Sequence, residues 1–243
     1  MNADRPVGVF DSGLGGLTVL AELTRALPGE DFLYLGDTAR LPYGSKSPRI
    51  VERYAREVAD YLIQKDIKML VIACNTATAH AEQTLAQELK IPVVGVIQPG
   101  VDALLARTRN RRVGVLGTRS TIKSGAYANR IQAQDRELQV YSKECPLFVP
   151  LVEEGWTDRR VTRLVIQEYL SELKREDVDT VVLGCTHYPL LKETIQSEFP
   201  ELRLVDSSEE TAKAVRAKLE SEALLADRPR GAVRIYLTDM THQ

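Results

Sequence analysis

Two cysteines, Cys74 and Cys185, stand where an apolar run gives way to capping residues. Met69–Ala73 reads as a buried strand, followed by Cys74 and then Asn75, Thr76 and Thr78, each able to cap a helix expected over Ala77–Leu89. Thr180–Gly184 reads the same way before Cys185, where Thr186, His187 and then Pro189 suit a first helical turn. Parallel α/β sheets bind ligands at this carboxyl edge, and a helix N-terminus there favours a thiolate. A lone cysteine at a strand end is more often a small buried hydrophobe. Two at equivalent places suit one reaction class, inversion of a stereocentre, with a thiolate removing a proton on one face and a thiol returning one on the other. A free thiol, with a pKa of about 8.5, needs modest tuning for either role.

Other polar groups cluster near these positions. His187 lies two residues beyond Cys185 and reads equally as a cap or as a proton partner. His80 falls on the helix after Cys74 and reads as surface or packing, and Cys145, before Pro146, reads as structural. The first strand runs into Asp11-Ser12-Gly13-Leu14-Gly15-Gly16, a turn whose glycines could admit an anionic ligand to backbone amides. It resembles a dinucleotide loop, with Asp37 after the second strand, but the fingerprint puts glycine where Thr18 stands. A phosphate loop fails too, because Ser45 precedes Lys46-Ser47. Asp11 opposes phosphate and suits an ammonium group. No closely spaced pair of metal ligands supports zinc, so neither metal nor cofactor is expected.

The elements that must position these groups alternate along the chain. Strand candidates are Val7–Phe10, Phe32–Leu35, Met69–Ala73, Val93–Val96, Val113–Leu116, Gln139–Ser142, Thr180–Gly184, Leu202–Val205 and Val233–Leu237. Helical stripes lie between them, as in Pro48–Lys65, with Ser47 as N-cap and proline at the first helical position. The pattern predicts α/β architecture with parallel sheets. It also repeats. Val7–Phe10 is echoed by Val113–Leu116 and Val71–Thr76 by Val182–His187, roughly 110 residues apart. Two pseudo-symmetric α/β domains facing each other across a cleft are expected, divided near Gln98-Pro99-Gly100: residues 1–97 with 208–243, and residues 98–207. The docking of the last strand is not legible.

Composition bounds the rest. The 243 residues are 44% hydrophobic and 27% charged, with a net charge of −2. That balance opposes a nucleic-acid binder, and the one basic run, Arg107, Arg109, Arg111 and Arg112, reads as a solvated helix end. No apolar stretch reaches membrane-spanning or signal-peptide length. A cytoplasmic protein with three free thiols is expected, without membrane or nucleic-acid partners.

Together the motifs DSGLGG (Asp11–Gly16), PYG (Pro42–Gly44), CNTAT (Cys74–Thr78), GTRST (Gly117–Thr121), LVEEG (Leu151–Gly155) and GCTHYP (Gly184–Pro189) resemble those of the glutamate racemase family, in order, from Val7 to Asp206. The resemblance implies interconversion of L- and D-glutamate, supplying D-glutamate for peptidoglycan, with no pyridoxal phosphate and no metal. It implies Cys74 and Cys185 as the two proton carriers, Asp11 assisting Cys74, and His187 and Glu153 assisting Cys185. Substrate contacts fall to Asp11, Ser12, Tyr43, Gly44, Asn75, Thr76, Thr118, Thr121, Thr186 and His187. Family members often form homodimers. Three alternatives stay open: an aspartate or hydantoin racemase using the same two thiols, a nucleotide-binding module built on Gly13–Gly16, and a regulatory protein-binding role.

Overall fold

The computed structural model describes residues 2–240. The chain divides into two compact units. One ends at Val96 and resumes at Ser208; the other runs Ile97–Ser207.

The first unit alternates strand and helix: β1 (Val7–Asp11), α1 (Leu17–Ala26), β2 (Phe32–Gly36), α2 (Pro48–Ile63), β3 (Met69–Ile72), α3 (Asn75–Glu88) and β4 (Val93–Gly95). The second continues with α4 (Ile97–Arg107), β5 (Arg112–Gly117), α5 (Arg119–Lys123), α6 (Ala126–Gln134), β6 (Gln139–Glu144), α7 (Phe148–Glu153), α8 (Arg160–Arg175), β7 (Thr180–Gly184), α9 (Lys192–Glu198) and β8 (Arg203–Asp206). The chain then returns to the first unit through α10 (Ser207–Ser221) and β9 (Val233–Leu237).

All nine expected strands form, with ends that differ by a residue or two. The sheets are wholly parallel, in the orders β4-β3-β1-β2-β9 and β6-β5-β7-β8. Set β9 aside and the two orders coincide, β1 to β4 matching β5 to β8. The internal repeat is therefore one of topology as well as of sequence. β9 is the addition, pairing with β2 from Phe32↔Val233 to Gly36↔Leu237. Residues 241–243 of the tail lie outside the described residues.

Side-chain alternation covers both faces of the first sheet. Val7 and Val9 of β1 join Val19 and Leu23 of α1 and Val215 and Leu219 of α10 in one core. Phe10, on the other face, joins Val51, Val58 and Leu62 of α2 and Ala77, Ala81 and Leu85 of α3. In the second unit Leu116, Val181 and Leu183 pack against Phe148 of α7, Ile166 and Leu170 of α8 and Ile195 of α9. α4 packs against β7 and α6 on that sheet's opposite side.

Local expectations need adjustment at three helix starts. Ser47 is the N-cap of α2 with proline behind it, yet its side chain makes no capping bond. The units divide between Val96 and Ile97, beside Gln98-Pro99-Gly100, but those three residues lie inside α4 instead of interrupting it, and its early proline costs no helical hydrogen bond. α3 begins at Asn75, earlier than expected, and its cap is Cys74 itself. Among the described residues no helix is long and apolar enough to cross a membrane.

Candidate active site

Parallel pairing in register gathers strand ends. Asp11 lies opposite Gly36, and Phe10 opposite Ile72, so the turns after β1, β2 and β3 open at one edge of the first sheet. Cys74 sits there with 5% of its surface exposed. Its sulfur accepts a hydrogen bond from Ala77 N at 3.4 Å and donates to Ser12 Oγ at 3.7 Å. Thr78, an expected cap, is used otherwise: its hydroxyl donates to Ile72 O at 3.1 Å. Asn75 and Thr76 form the buried first turn of α3. The sulfur thus occupies a helix N-terminus, where amide dipoles stabilise negative charge.

Asp11 is fully buried beside this edge, and its Oδ2 accepts from Gly13 N at 3.0 Å. Gly16 in the following turn serves close packing. A Cβ on Gly16 would fall 2.4 Å from Asp11 Cβ and 2.9 Å from the Tyr34 hydroxyl. Tyr34 donates to Gly13 O at 2.7 Å, and burial, with the Asp11 and Cys74 charges nearby, holds its hydroxyl far above the usual range. One loop amide is therefore committed to a carboxylate.

Asp37, the would-be ribose ligand of a nucleotide site, is buried and fully engaged. Its side chain accepts from Arg40 Nε at 2.7 Å, from the Tyr43 hydroxyl, and from Thr238 Oγ1 at 3.0 Å. Its amide donates to Asp11 O at 3.0 Å. Tyr43 is buried, and burial together with the Asp37 bond keeps its hydroxyl protonated. That hydroxyl points its bond at Asp37, so what the short 3-10 turn Tyr43–Ser45 can offer a ligand is backbone, at Tyr43 and Gly44.

The second unit repeats the arrangement. Gly117 lies opposite Gly184, which places Thr118 and Cys185 after neighbouring strand ends. Thr118 caps α5, its Oγ1 accepting from Thr121 N at 3.3 Å and meeting Thr121 Oγ1 at 3.0 Å. Thr186 is buried beside Cys185, which is 7% exposed. His187 precedes a 3-10 turn, Tyr188–Leu191, but makes no capping bond. Its ring instead bridges two groups, with Nδ1 3.8 Å from Cys185 Sγ and Nε2 3.3 Å from Glu153 Oε1. Glu153 ends α7, and its neighbour Glu154 is the C-cap. A thiol, an imidazole and a carboxylate in line can pass or hold a proton.

Cys145 is buried in the second unit's core, in the same cluster as Cys185, where burial pushes its thiol well above the usual range. His80 is half-buried on α3. Of the basic run, Arg111 pairs with Asp135 and Glu137, and Arg112 donates to Glu176 O, so these charges serve their own unit. Among the described residues no group of three His, Cys, Asp or Glu side chains could hold a metal ion. Sequence reasoning missed Tyr34, Thr238 and Tyr188. A tyrosine amid an apolar strand and one inside GCTHYP were the available signals, and Thr238 had none.

Residues 9–215 match the family model described as Asp/Glu/Hydantoin racemase. A curated glutamate racemase from Geobacter metallireducens is 56% identical over 91% of this chain and 82% of its own length. Among solved structures, a glutamate racemase isoform from Bacillus anthracis superposes with a TM-score of 0.95 at 39% identity, covering 98% of this chain and 90% of that one. One from Francisella tularensis, in complex with D-glutamate, gives 0.94 at 39% identity, over 99% and 90%.

Proposed function

Because the chain belongs to the glutamate racemase family, we propose that it interconverts L- and D-glutamate by proton transfer at Cys74 and Cys185, using no cofactor. The observation that carries this reading is their equivalence. Each thiol follows the third strand of the same four-strand order, and each has its own polar partners.

In the L-to-D direction the Cys185 thiolate takes the Cα proton and becomes a thiol. The resulting carbanion, its charge spread into the carboxylate, accepts a proton from the Cys74 thiol on the opposite face. Exchange with water resets both sulfurs. The D-to-L direction begins at Cys74. Asp11 supports Cys74, and the imidazole of His187, held by Glu153, supports Cys185. Ser12, Asn75, Thr76, Thr118, Thr121, Thr186 and His187, with the backbone of Tyr43 and Gly44, hold the substrate. Preorganised donors around the developing charge supply the main stabilisation. The product feeds peptidoglycan synthesis in the cytoplasm, where reducing conditions keep the thiols free, and the working assembly is a homodimer.

The nucleotide reading loses its support, because Asp37 is buried in protein contacts and Gly13 N is bound to Asp11. A chiral assay of L-amino acids should yield D-glutamate and little D-aspartate. A side chain shorter by one methylene would strand buried donors. In D₂O, early product should carry deuterium at Cα while unreacted substrate carries much less. Comparable turnover of L-aspartate would overturn the substrate, and product keeping its original proton would overturn the two-base mechanism.

A further inference from the structure

The Cys185–His187–Glu153 line joins two separate pieces of chain, and one side chain ties those pieces together. Glu153 closes α7, a helix of six residues. A helix so short has no stability of its own, since isolated helices below about 12 residues are marginal. Its place depends on how its root, Cys145–Phe148, is gripped. The fully buried Tyr188 donates its hydroxyl to Cys145 O at 2.9 Å. Its ring meets Phe148 edge-on, with centroids 5.1 Å apart and planes at 87°. The backbone amide of the same residue donates to Cys185 O at 3.1 Å, closing the turn that presents the thiol and His187. On the other side Phe148 meets Tyr169 edge-on, with centroids 5.2 Å apart, and Leu147 N donates to the Tyr169 hydroxyl at 3.3 Å. Burial, with Cys185 and Cys145 close by, keeps the Tyr188 hydroxyl protonated and so a permanent donor.

We propose that Tyr188 is a positioning residue for proton transfer at Cys185: it clamps the root of α7 to the Cys185 turn, and so fixes Glu153 against His187. This rests on the two-thiol reading above. Relaxing the clamp leaves every group that touches substrate in the chain but loosens the line behind Cys185, and small misplacements of that kind carry large rate costs.

The test is Tyr188→Phe, which removes the hydroxyl and keeps the ring. The Cys145 carbonyl retains Phe148 N–H as a partner at 3.2 Å, so folding should survive. We expect kcat/KM to fall roughly tenfold, equally in both directions as the equilibrium between enantiomers demands. The discriminating readout is the isotope effect on kcat/KM with C2-deuterated substrates. A higher barrier at Cys185 makes C–H cleavage of L-glutamate fully rate-limiting, so that effect rises. Cleavage of D-glutamate at Cys74 becomes reversible, so its effect shrinks. Phe148→Leu should move both values the same way, by less. Glu153→Gln is the control for the underlying line. If it shifts the isotope effects and Tyr188→Phe does not, whatever the loss of rate, Tyr188 is merely structural and the clamp is refuted. If Glu153→Gln shifts neither, the line behind Cys185 is itself wrong and the clamp falls with it. Because isotope effects do not depend on how much enzyme is folded, partial unfolding of a variant cannot imitate the expected pattern.

Discussion

Three cysteines share the chain, and their surroundings divide them. Cys74 receives an amide hydrogen bond at a helix start, and Cys185 faces an imidazole. Cys145 sits among Leu116, Phe148 and Tyr188, with burial raising its thiol against a smaller pull from Lys143. A thiol so placed is a poor nucleophile. Limited alkylation of the native protein near pH 8 should therefore label Cys74 and Cys185, abolish racemisation, and spare Cys145, as peptide mass mapping would show. Cys145→Ala should keep most of the activity at a stability cost of about 1 kcal/mol. Cys74→Ala and Cys185→Ala should stay folded and nearly inactive in both directions. Activity lost in Cys145→Ala at unchanged stability would contradict this division. The strand-end placement of the two cysteines was legible because long apolar runs announce buried parallel strands. The capping sulfur was not, because Asn75, Thr76 and Thr78 are all better caps by type, and only the early start of α3 decides the matter. Composition and spacing could not choose Glu153 over Glu154 as the partner of His187, since that depends on where a six-residue helix stops; the motif resemblance made that choice.

At the scale of elements, β9 does more than lengthen a sheet. Its pairing with β2 delivers Thr238 to the turn after that strand, where Thr238 N donates to Gly36 O at 3.1 Å. The Thr238 hydroxyl donates to Asp37 and accepts from Ala39 N, both at 3.0 Å. Asp37 in turn holds Tyr43 and Arg40 and is itself held to Asp11 O. A residue about 200 positions away thereby braces the turn that carries Tyr43 and Gly44. Thr238→Val keeps the shape and the strand preference but removes both hydrogen bonds. Each is worth about 0.5–1.5 kcal/mol, so KM for glutamate should rise about 2- to 10-fold while kcat changes less, and Thr238→Ser should restore the original KM. Equal behaviour of the valine and serine variants in steady-state kinetics would remove the hydroxyl from the argument. The strand itself was readable from its residues, but its docking was not. Its side chains are largely exposed, so no apolar face declares which neighbour it seeks.

The discontinuous first unit poses a problem for the whole molecule, because its sheet is finished only after the entire second unit has been synthesised. One buried ion pair secures the join. Lys68 Nζ meets Glu30 Oε2 with both side chains essentially inaccessible to water, and also donates to Ala3 O and, at 2.8 Å, to Leu224 O. Glu30 Oε1 accepts from Ala226 N at 2.7 Å. The first residues of the chain, the start of β3 and the segment leading to β9 therefore converge on one pair of charges. Desolvation makes such a pair a modest source of stability by itself, while removing one partner leaves an uncompensated buried charge. Lys68→Met should accordingly cost about 3–5 kcal/mol in urea unfolding. The double variant Lys68→Met, Glu30→Gln should recover part of that loss, since no charge is then stranded. The damage should also be local. Amide exchange should quicken in β9 and β2, where the returning segment is held, before it quickens in β5 and β7 of the continuous second unit. If exchange instead rises by the same factor in all four strands, the two units open as a single cooperative body, and the ion pair is a general support rather than the fastening of one unit.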